Sequence, residues 1–183
     1  MAVVEWITLA VWGLAEMALR VRERLAGRGG SATDHGTRVL IAVSLGAALA
    51  LAGVLAHHGA RLWPGARVTG VAVMWAGIGL RIWAIFTLGD SFRTSVEVHQ
   101  GQRVIDRGPY RLIRHPSYTG LMLVLIGIGV ADGTWLSLAA AALVPLPALL
   151  YRISVEEKVL VKNLGEPYAD YESRTKRLIP RVW

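Results

Sequence analysis

The chain has 183 residues with a formal net charge of +7, and 54% of the residues are hydrophobic while 18% are charged. A soluble domain carries about 25% charged residues and lacks long apolar blocks, so this composition excludes an ordinary soluble domain. The sequence contains no cysteine, which excludes disulfides and thiolate metal sites. Because the basic residues lie between or after the apolar blocks, they favour a membrane surface over nucleic acid.

Five apolar segments predict an all-α integral membrane protein, because a spanning helix needs about 20 mostly apolar residues. The first contains Glu5 and Glu16, and it is too long for the apolar part of a cleavable signal peptide. A tight turn at Asp132-Gly133 predicts that the fourth and fifth form a helical hairpin. Prolines 145 and 147 predict a kink in the fifth. The predicted segments are 3–19, 39–56, 68–88, 118–131 and 134–153.

Three basic stretches predict the orientation, because Lys and Arg favour the cytoplasmic side. Residues 20–38 hold five arginines, residues 89–118 hold five, and residues 152–183 hold seven Lys or Arg. With five spans this bias predicts an N-terminus outside and a C-terminus in the cytoplasm, in what we expect to be a bacterial cytoplasmic membrane. Segments 89–118 and 154–183 flank the hairpin, so we expect them to meet and to carry the chemistry.

Arg81 is a charged residue inside the third apolar segment. A charge at such a position costs about 2.5–3.5 kcal/mol on insertion scales, so it usually faces the protein interior and has a partner. The alternative is that the side chain extends to the interface, about two turns away along the helix.

A run of prolines, arginines and tyrosines with one histidine precedes the fourth segment. Pro116 biases His115 away from helical conformation and can begin the next helix. A cationic and aromatic surface at a helix N-terminus suits an anionic or π-rich ligand. The alternative is a juxtamembrane belt with arginines on lipid phosphates. The run reads Gly108, Pro109, Tyr110, Arg111, Leu112, Ile113, Arg114, His115, Pro116, Ser117, Tyr118.

Arg152 and Glu156 follow the hairpin and are four residues apart, so they share one helix face. They predict either a functional pair or a common exposed ion pair.

Two further patterns are interpreted as structural. Gly127 and Gly129 resemble part of a nucleotide-binding loop, but no strand precedes them, so they predict close helix packing. His57 and His58 have no nearby further ligand in the sequence, and no metal site is predicted.

These motifs together resemble the isoprenylcysteine carboxyl methyltransferase family and the wider group of small membrane methyltransferases, which includes phospholipid N-methyltransferases. The resemblance covers about residue 80 to the C-terminus. It is carried by Gly108-Pro109-Tyr110, the stretch 114–120, the hairpin, Arg152 with Glu156-Glu157, and the stretch 165–171.

The resemblance implies S-adenosylmethionine binding without a Rossmann domain, in a cytoplasmic pocket formed by the Arg-His-Pro segment and the C-terminal segment. It divides the chain into residues 1–67, with two spanning helices and a basic loop, and a catalytic region 68–183, with three spanning helices and cofactor segments 89–118 and 152–183. Glu97 departs from the family pattern. Implied catalytic residues are Arg81, Arg152 and Glu156. Implied cofactor contacts are Gln102, Arg103, Val104, Ile105, Tyr110, His115, Pro116, Ser117, Tyr118 and Glu156.

The expected reaction is methyl transfer to a lipophilic acceptor that enters from the bilayer. A carboxylate acceptor is favoured because it is ionised at pH 7, whereas a thiol or amine needs a base that the sequence does not offer clearly. Two alternatives stay open, an NADPH-dependent membrane reductase related to sterol reductases and a non-catalytic membrane protein.

Overall fold

The computed structural model describes residues 7–8, 10–14, 16–18, 21, 36–89 and 104–183, and the regular structure of these ranges is helical. Most of the described residues between 7 and 21 are helical, and we call them the N-terminal helical segment. The later helices are α1 (Thr37–Leu55), α2 (Ala66–Leu88), α3 (Pro116–Asp132), α4 (Trp135–Leu143), α5 (Leu146–Leu164) and α6 (Glu166–Arg174), with a 3₁₀ helix at Gly108–Arg111.

Within the described ranges, three stretches are long and apolar enough to cross a membrane, namely α1, α2 and the continuous stretch Trp135–Leu164. Helix α3 is apolar but shorter. The protein is therefore an integral membrane protein, as predicted. The first predicted segment, 3–19, lies partly outside the described residues.

The proline pair interrupts the fifth predicted segment. Helix α4 ends at Leu143, and α5 begins at Leu146 with Pro145 at its N-cap, because proline supplies no backbone donor. The predicted end near residue 153 is wrong, since α5 continues to Leu164. Its second half mixes charged with apolar residues, so hydropathy alone does not follow the helix past the membrane boundary.

Helices α2 and α3 pack backbone against backbone through glycines. A Cβ on Gly77 would lie 2.6 Å from the Gly120 carbonyl oxygen, and one on Gly70 would lie 2.5 Å from the Gly127 carbonyl oxygen. A Cβ on Gly129 would lie 2.7 Å from the Cα of Leu138 on α4. The interpretation of the glycine pair 127 and 129 as packing residues is confirmed. This contact holds Arg81 of α2 beside the first turn of α3.

The two ends of the bundle differ in chemistry. At one end, the turns after α1 and α3 meet through a hydrogen bond from the Leu62 amide to the Gly133 carbonyl oxygen, 2.9 Å long. At the other end lie the start of α1, residues 104–118, the charged half of α5, and α6 with the residues that follow it. We call this the polar end, and it contains the predicted chemistry-bearing residues.

Candidate active site

Three helices bring polar side chains together around Arg152. Arg152 Nε donates to the Tyr118 hydroxyl at 3.1 Å, and its Nη1 donates to Thr37 Oγ1 at the start of α1. The Tyr118 hydroxyl in turn donates to Glu156 Oε2 at 2.7 Å, and the same oxygen lies 4.0 Å from Arg152 Nε. We call these four residues, Thr37, Tyr118, Arg152 and Glu156, the Arg152 cluster.

The Arg152 cluster is buried on one side and open on the other. The Arg152 side chain is 3% exposed, whereas that of Glu156 is 29% exposed. The predicted shared face of Arg152 and Glu156 is present, but a purely exposed ion pair is excluded because the arginine is buried. Glu156 is the member of the cluster that retains access to solvent or ligand.

The neighbouring Glu157 lies in a second cluster, which we call the Glu157 network and which also contains Arg114, His115 and Arg177. Glu157 Oε1 accepts from Arg114 Nε at 2.8 Å and lies 3.2 Å from His115 Nε2. Its Oε2 accepts from Arg177 Nε at 2.8 Å. Two arginines and a histidine thus surround one buried carboxylate, a satisfied arrangement for a charge removed from water.

The Glu157 network joins the two segments that were expected to meet. The Arg114 amide donates to the Lys176 carbonyl oxygen at 2.7 Å, and the His115 amide donates to that of Arg177 at 3.0 Å. Arg114 Nη1 also donates to the carbonyl oxygens of Glu172 and Thr175. The chain after α6 is therefore fixed against the residues that begin α3.

The His115 ring belongs to both clusters. It faces Glu157 on one side and stacks on Tyr118 of the Arg152 cluster, with ring centroids 5.6 Å apart and planes inclined by 25°. Helix α3 begins at Pro116, as predicted, so the residues on either side of this proline have fixed positions. Movement of either cluster must therefore displace the other.

Arg81 has the interior partner that its position in α2 predicted. Its Nη2 donates to Glu16 Oε2 at 3.0 Å, and its Nε donates to the other carboxylate oxygen of Glu16. Its Nη1 donates to the Ser117 hydroxyl at 2.8 Å and to the Ser117 carbonyl oxygen at 3.1 Å. These contacts hold the side chain against the start of α3, so Arg81 is paired with protein groups rather than left to solvent.

Tyr110 closes the polar end from the 3₁₀ helix. Its side chain is buried, and its carbonyl oxygen accepts from the Tyr171 hydroxyl of α6 at 2.8 Å. Burial, reinforced by the negative charge of Glu156, raises the pKa of Tyr110 far above its ordinary value. Its phenol is therefore protonated at physiological pH and can donate a hydrogen bond, but it cannot act as a base.

The remaining predicted contacts are divided between described and undescribed residues. Val104 and Ile105 are half-buried in irregular backbone before the 3₁₀ helix, and Pro116 and Ser117 are buried in the first turn of α3. Gln102, Arg103 and Glu97 lie outside the described residues.

Sequence reasoning missed the role of Thr37, which lies in a region where no resemblance was found. It also missed Arg177 as a partner of Glu157. For Glu16, a charge in an apolar segment was the available signal, but one sequence gives no means of matching it to Arg81.

Comparisons with known proteins agree with this architecture. A sequence model of the isoprenylcysteine carboxyl methyltransferase family matches residues 70–162. Protein-S-isoprenylcysteine O-methyltransferase A of Arabidopsis thaliana is 32% identical over 117 residues, which cover 62% of this chain and 58% of that protein. Methanethiol S-methyltransferase of a Pseudomonas species is 27% identical over 120 residues, covering 61% of this chain and 45% of that protein.

A solved structure gives the same result for the fold. The eukaryotic intramembrane Ras methyltransferase, isoprenylcysteine carboxyl methyltransferase, matches with a TM-score of 0.63 at 25% identity, covering 77% of this chain and 52% of that one. The chain thus spans about half the length of the relatives it matches. Because the family model covers half of the 183 residues, including α3, α4 and most of α2 and α5, the chain belongs to the isoprenylcysteine carboxyl methyltransferase family.

Proposed function

We propose that this protein is an S-adenosylmethionine-dependent membrane methyltransferase that transfers a methyl group to a lipophilic acceptor, most simply a carboxylate. The observation that carries the proposal is the Arg152 cluster, where a buried arginine and an accessible glutamate share one tyrosine hydroxyl. In a protein of this family, such a cluster at the polar end is the natural place for a zwitterionic ligand.

The side chains at the polar end fit the methyl donor by their chemistry. The amino-acid end of S-adenosylmethionine carries an ammonium and a carboxylate, so it needs an accessible anion and nearby hydrogen-bond donors. Glu156 is the accessible anion, and His115 and Tyr118 lie beside it; the phenol donates to Glu156 in this structure and would donate to the ligand carboxylate once an ammonium group occupies Glu156. The predicted contacts to the rest of the cofactor come from Gln102, Arg103, Val104, Ile105, Tyr110, Pro116 and Ser117.

The chain's own task is alignment, because a sulfonium methyl group is already activated. When bound, S-adenosylmethionine would supply that methyl group to an acceptor oxygen, and S-adenosylhomocysteine would leave with the electron pair of the broken C–S bond. Arg81 and Arg152 would orient an acidic acceptor, and burial of the Arg152 side chain strengthens the interactions that its charge makes.

A small apolar crevice lies beside the Arg152 cluster. It lies between α1, α3 and the start of α5, and its lining includes Ile41, Leu121 and Leu149. Ile41 lies one turn after Thr37, and Leu149 lies about one turn before Arg152. The side of the cluster that faces the apolar half of the bundle is therefore bordered by aliphatic side chains, which suits a lipophilic acceptor.

We further propose five spans, with the N-terminus outside and the polar end in the cytoplasm, because the basic stretches favour that side. The cysteine-free sequence allows a clean test, since a single introduced cysteine is the only thiol. A cysteine at exposed Asp170 should react with a membrane-impermeant maleimide only after the membrane is opened, and one at exposed His57 should react in intact cells. The reverse pattern would contradict the orientation.

The direct test of the activity is calorimetric titration of the purified protein in detergent with S-adenosylhomocysteine and, separately, with NADPH. We expect binding of the first alone. Binding of NADPH alone would support the reductase, and binding of neither at millimolar concentration would support a non-catalytic protein. Transfer of a labelled methyl group into total membrane lipid, with the product identified by mass spectrometry, would then identify the acceptor.

A further inference from the structure

The guanidinium of Arg81 is fully engaged by protein atoms. Nε and Nη2 donate to the two carboxylate oxygens of Glu16, and Nη1 donates to Ser117. The pair is largely removed from solvent, with side chains 11% and 21% exposed for Arg81 and Glu16 respectively. All three guanidinium nitrogens therefore have a protein acceptor.

The Glu16 carboxylate binds Arg81 in the two-pronged manner in which an arginine binds any carboxylate. An acceptor carboxylate that uses the same pair of nitrogens must first displace Glu16. A thiol acceptor binds in its neutral form without displacing Glu16, and its proton passes to water as the sulfur takes the methyl group. The Arg81–Glu16 pair thus bears on which acceptor class the site prefers.

The N-terminal helical segment is oriented so that Glu16 faces the protein. Thr8, Trp12 and Glu16 are spaced by four residues and share one face, on which Thr8 is fully buried. Ile7, Leu14 and Met17 lie on the remaining surface and are 54%, 70% and 59% exposed. A segment in lipid ordinarily turns its few polar groups toward protein, and here the carboxylate reaches the arginine of α2.

A second polar group on this inward face has no protein acceptor. The Trp12 indole Nε1 is buried and makes no hydrogen bond within the described part of the chain. A buried donor of this kind is uncommon and disfavoured unless something else satisfies it. It lies one helical turn from Glu16 on the same face.

Building on the function proposed above, we infer that Glu16 is a specificity-determining residue for the methyl acceptor. Its carboxylate occupies Nε and Nη2 of Arg81, so a carboxylate acceptor can bind these nitrogens only after it displaces Glu16. A thiol acceptor does not compete with Glu16 for them. Glu16 lies outside the family-matched stretch 70–162, so the competing carboxylate comes from the part of the chain that the family model does not describe.

The test compares two acceptors on wild-type protein and on Glu16→Gln. One acceptor is N-acetyl-S-farnesylcysteine, a carboxylate, and the other is dodecanethiol. Glutamine keeps the size of Glu16 but offers one oxygen and no charge, so it competes less well for the arginine. We expect kcat/KM for the carboxylate to rise about tenfold through KM, the difference between a charged and a neutral hydrogen bond. We expect kcat/KM for the thiol to change less than about twofold.

The controls separate this inference from the proposed function. Asp170→Asn removes the exposed ion pair with Arg174, whose charged atoms are 2.9 Å apart. It should leave kcat/KM unchanged for both acceptors. If Glu16→Gln does not fold, as judged by S-adenosylhomocysteine binding, Glu16→Asp is the second variant. Aspartate keeps the charge but is one methylene shorter, so it should hold Arg81 less well and still raise kcat/KM for the carboxylate acceptor. An equal fall in kcat/KM for both acceptors would overturn the inference and show that Glu16 only holds Arg81 in position. Failure of the wild-type protein to methylate either acceptor would count against the proposed function instead.

Discussion

Glu156 and Glu157 are neighbours on α5, yet they differ in burial and in the number of cationic groups that contact them. Consecutive helical residues point about 100° apart, so the two carboxylates face different parts of the polar end. Glu157 meets two arginines and a histidine, and its side chain is 6% exposed. Glu156 accepts a hydrogen bond from Tyr118, lies 4.0 Å from Arg152 Nε, and has a side chain that is 29% exposed.

The difference shows how one charged pair in the sequence can serve two purposes. A carboxylate surrounded by three donors on protein has little capacity left for a ligand, so Glu157 holds structure together. A carboxylate with a single phenol and solvent access can still accept an ammonium group. The comparison predicts that substitutions at Glu157 change stability, whereas those at Glu156 change ligand binding.

Glu157→Ala is expected to have the largest effect. It leaves two arginines and a histidine in a buried site without their anion, and breaking such an arrangement costs about 3–5 kcal/mol. We expect a large fall in the melting temperature of the detergent-solubilised protein, and loss of S-adenosylhomocysteine binding as a consequence.

The matched control for this substitution is Glu172→Gln. Glu172 also contacts Arg114, at 3.4 Å, but its side chain is 35% exposed, so its contribution should be below about 1 kcal/mol. Equal melting temperatures for the two variants would contradict the structural role assigned to Glu157.

Glu156→Gln is expected to leave the fold intact and to weaken cofactor binding. The amide can still accept from Tyr118, but it cannot neutralise an ammonium group. Loss of a charged hydrogen bond of about 1.5–3 kcal/mol corresponds to a dissociation constant for S-adenosylhomocysteine about 10- to 100-fold higher. Calorimetry and a thermal melt on the same sample check both parts. A lower melting temperature with unchanged affinity would reverse the roles of the two glutamates.

His115→Ala should separate cofactor binding from turnover when compared with Arg81→Ala. His115 joins the Glu157 network to Tyr118, so its loss should weaken S-adenosylhomocysteine binding by about tenfold, the effect of one lost hydrogen bond with its packing. Arg81 contacts Ser117 and Glu16 instead, so its loss should spare that affinity and lower kcat. Equal losses of affinity in both variants would mean that Arg81 acts by positioning the start of α3.

Much of this architecture was accessible from the sequence, because apolar length and proline positions are local signals. Hydropathy placed α1 and α2 within two residues of their observed ends, and Pro116 predicted the start of α3. The end of α5 was not accessible in this way, since a helix that leaves the membrane keeps its backbone bonds while its side chains become charged. The family motifs predicted that His115, Tyr118, Arg152 and Glu156 belong to one site.

The pairing of charges was not accessible. Glu16 and Arg81 are 65 residues apart, and Glu157 and Arg177 are 20 apart, so no helical spacing relates them. The sequence shows that a charge in an apolar segment needs a partner, but which partner it finds depends on how the helices pack. The glycine contacts of α2 with α3 decide that packing for Arg81, and their register is a property of the fold.

Thr37→Val is the smallest predicted effect, and it tests whether the N-terminal region belongs to the active site. Thr37 is buried at the start of α1, outside the family-matched stretch, and its hydroxyl oxygen accepts from Arg152. Valine keeps the shape and removes that acceptor, a loss of about 1 kcal/mol that corresponds to about a fivefold lower kcat.

Thr69→Val is the matched control, because Thr69 is exposed on α2 and its hydroxyl donates only to the Gly65 carbonyl oxygen of its own helix. It should change neither kcat nor the melting temperature. If Thr37→Val leaves kcat unchanged, α1 merely covers Arg152. A fall in kcat without a fall in S-adenosylhomocysteine affinity would place α1 with Arg152 on the acceptor side of the site, and Glu156 on the cofactor side. It would also mean that the Arg152 cluster depends on a helix that the motifs do not reveal.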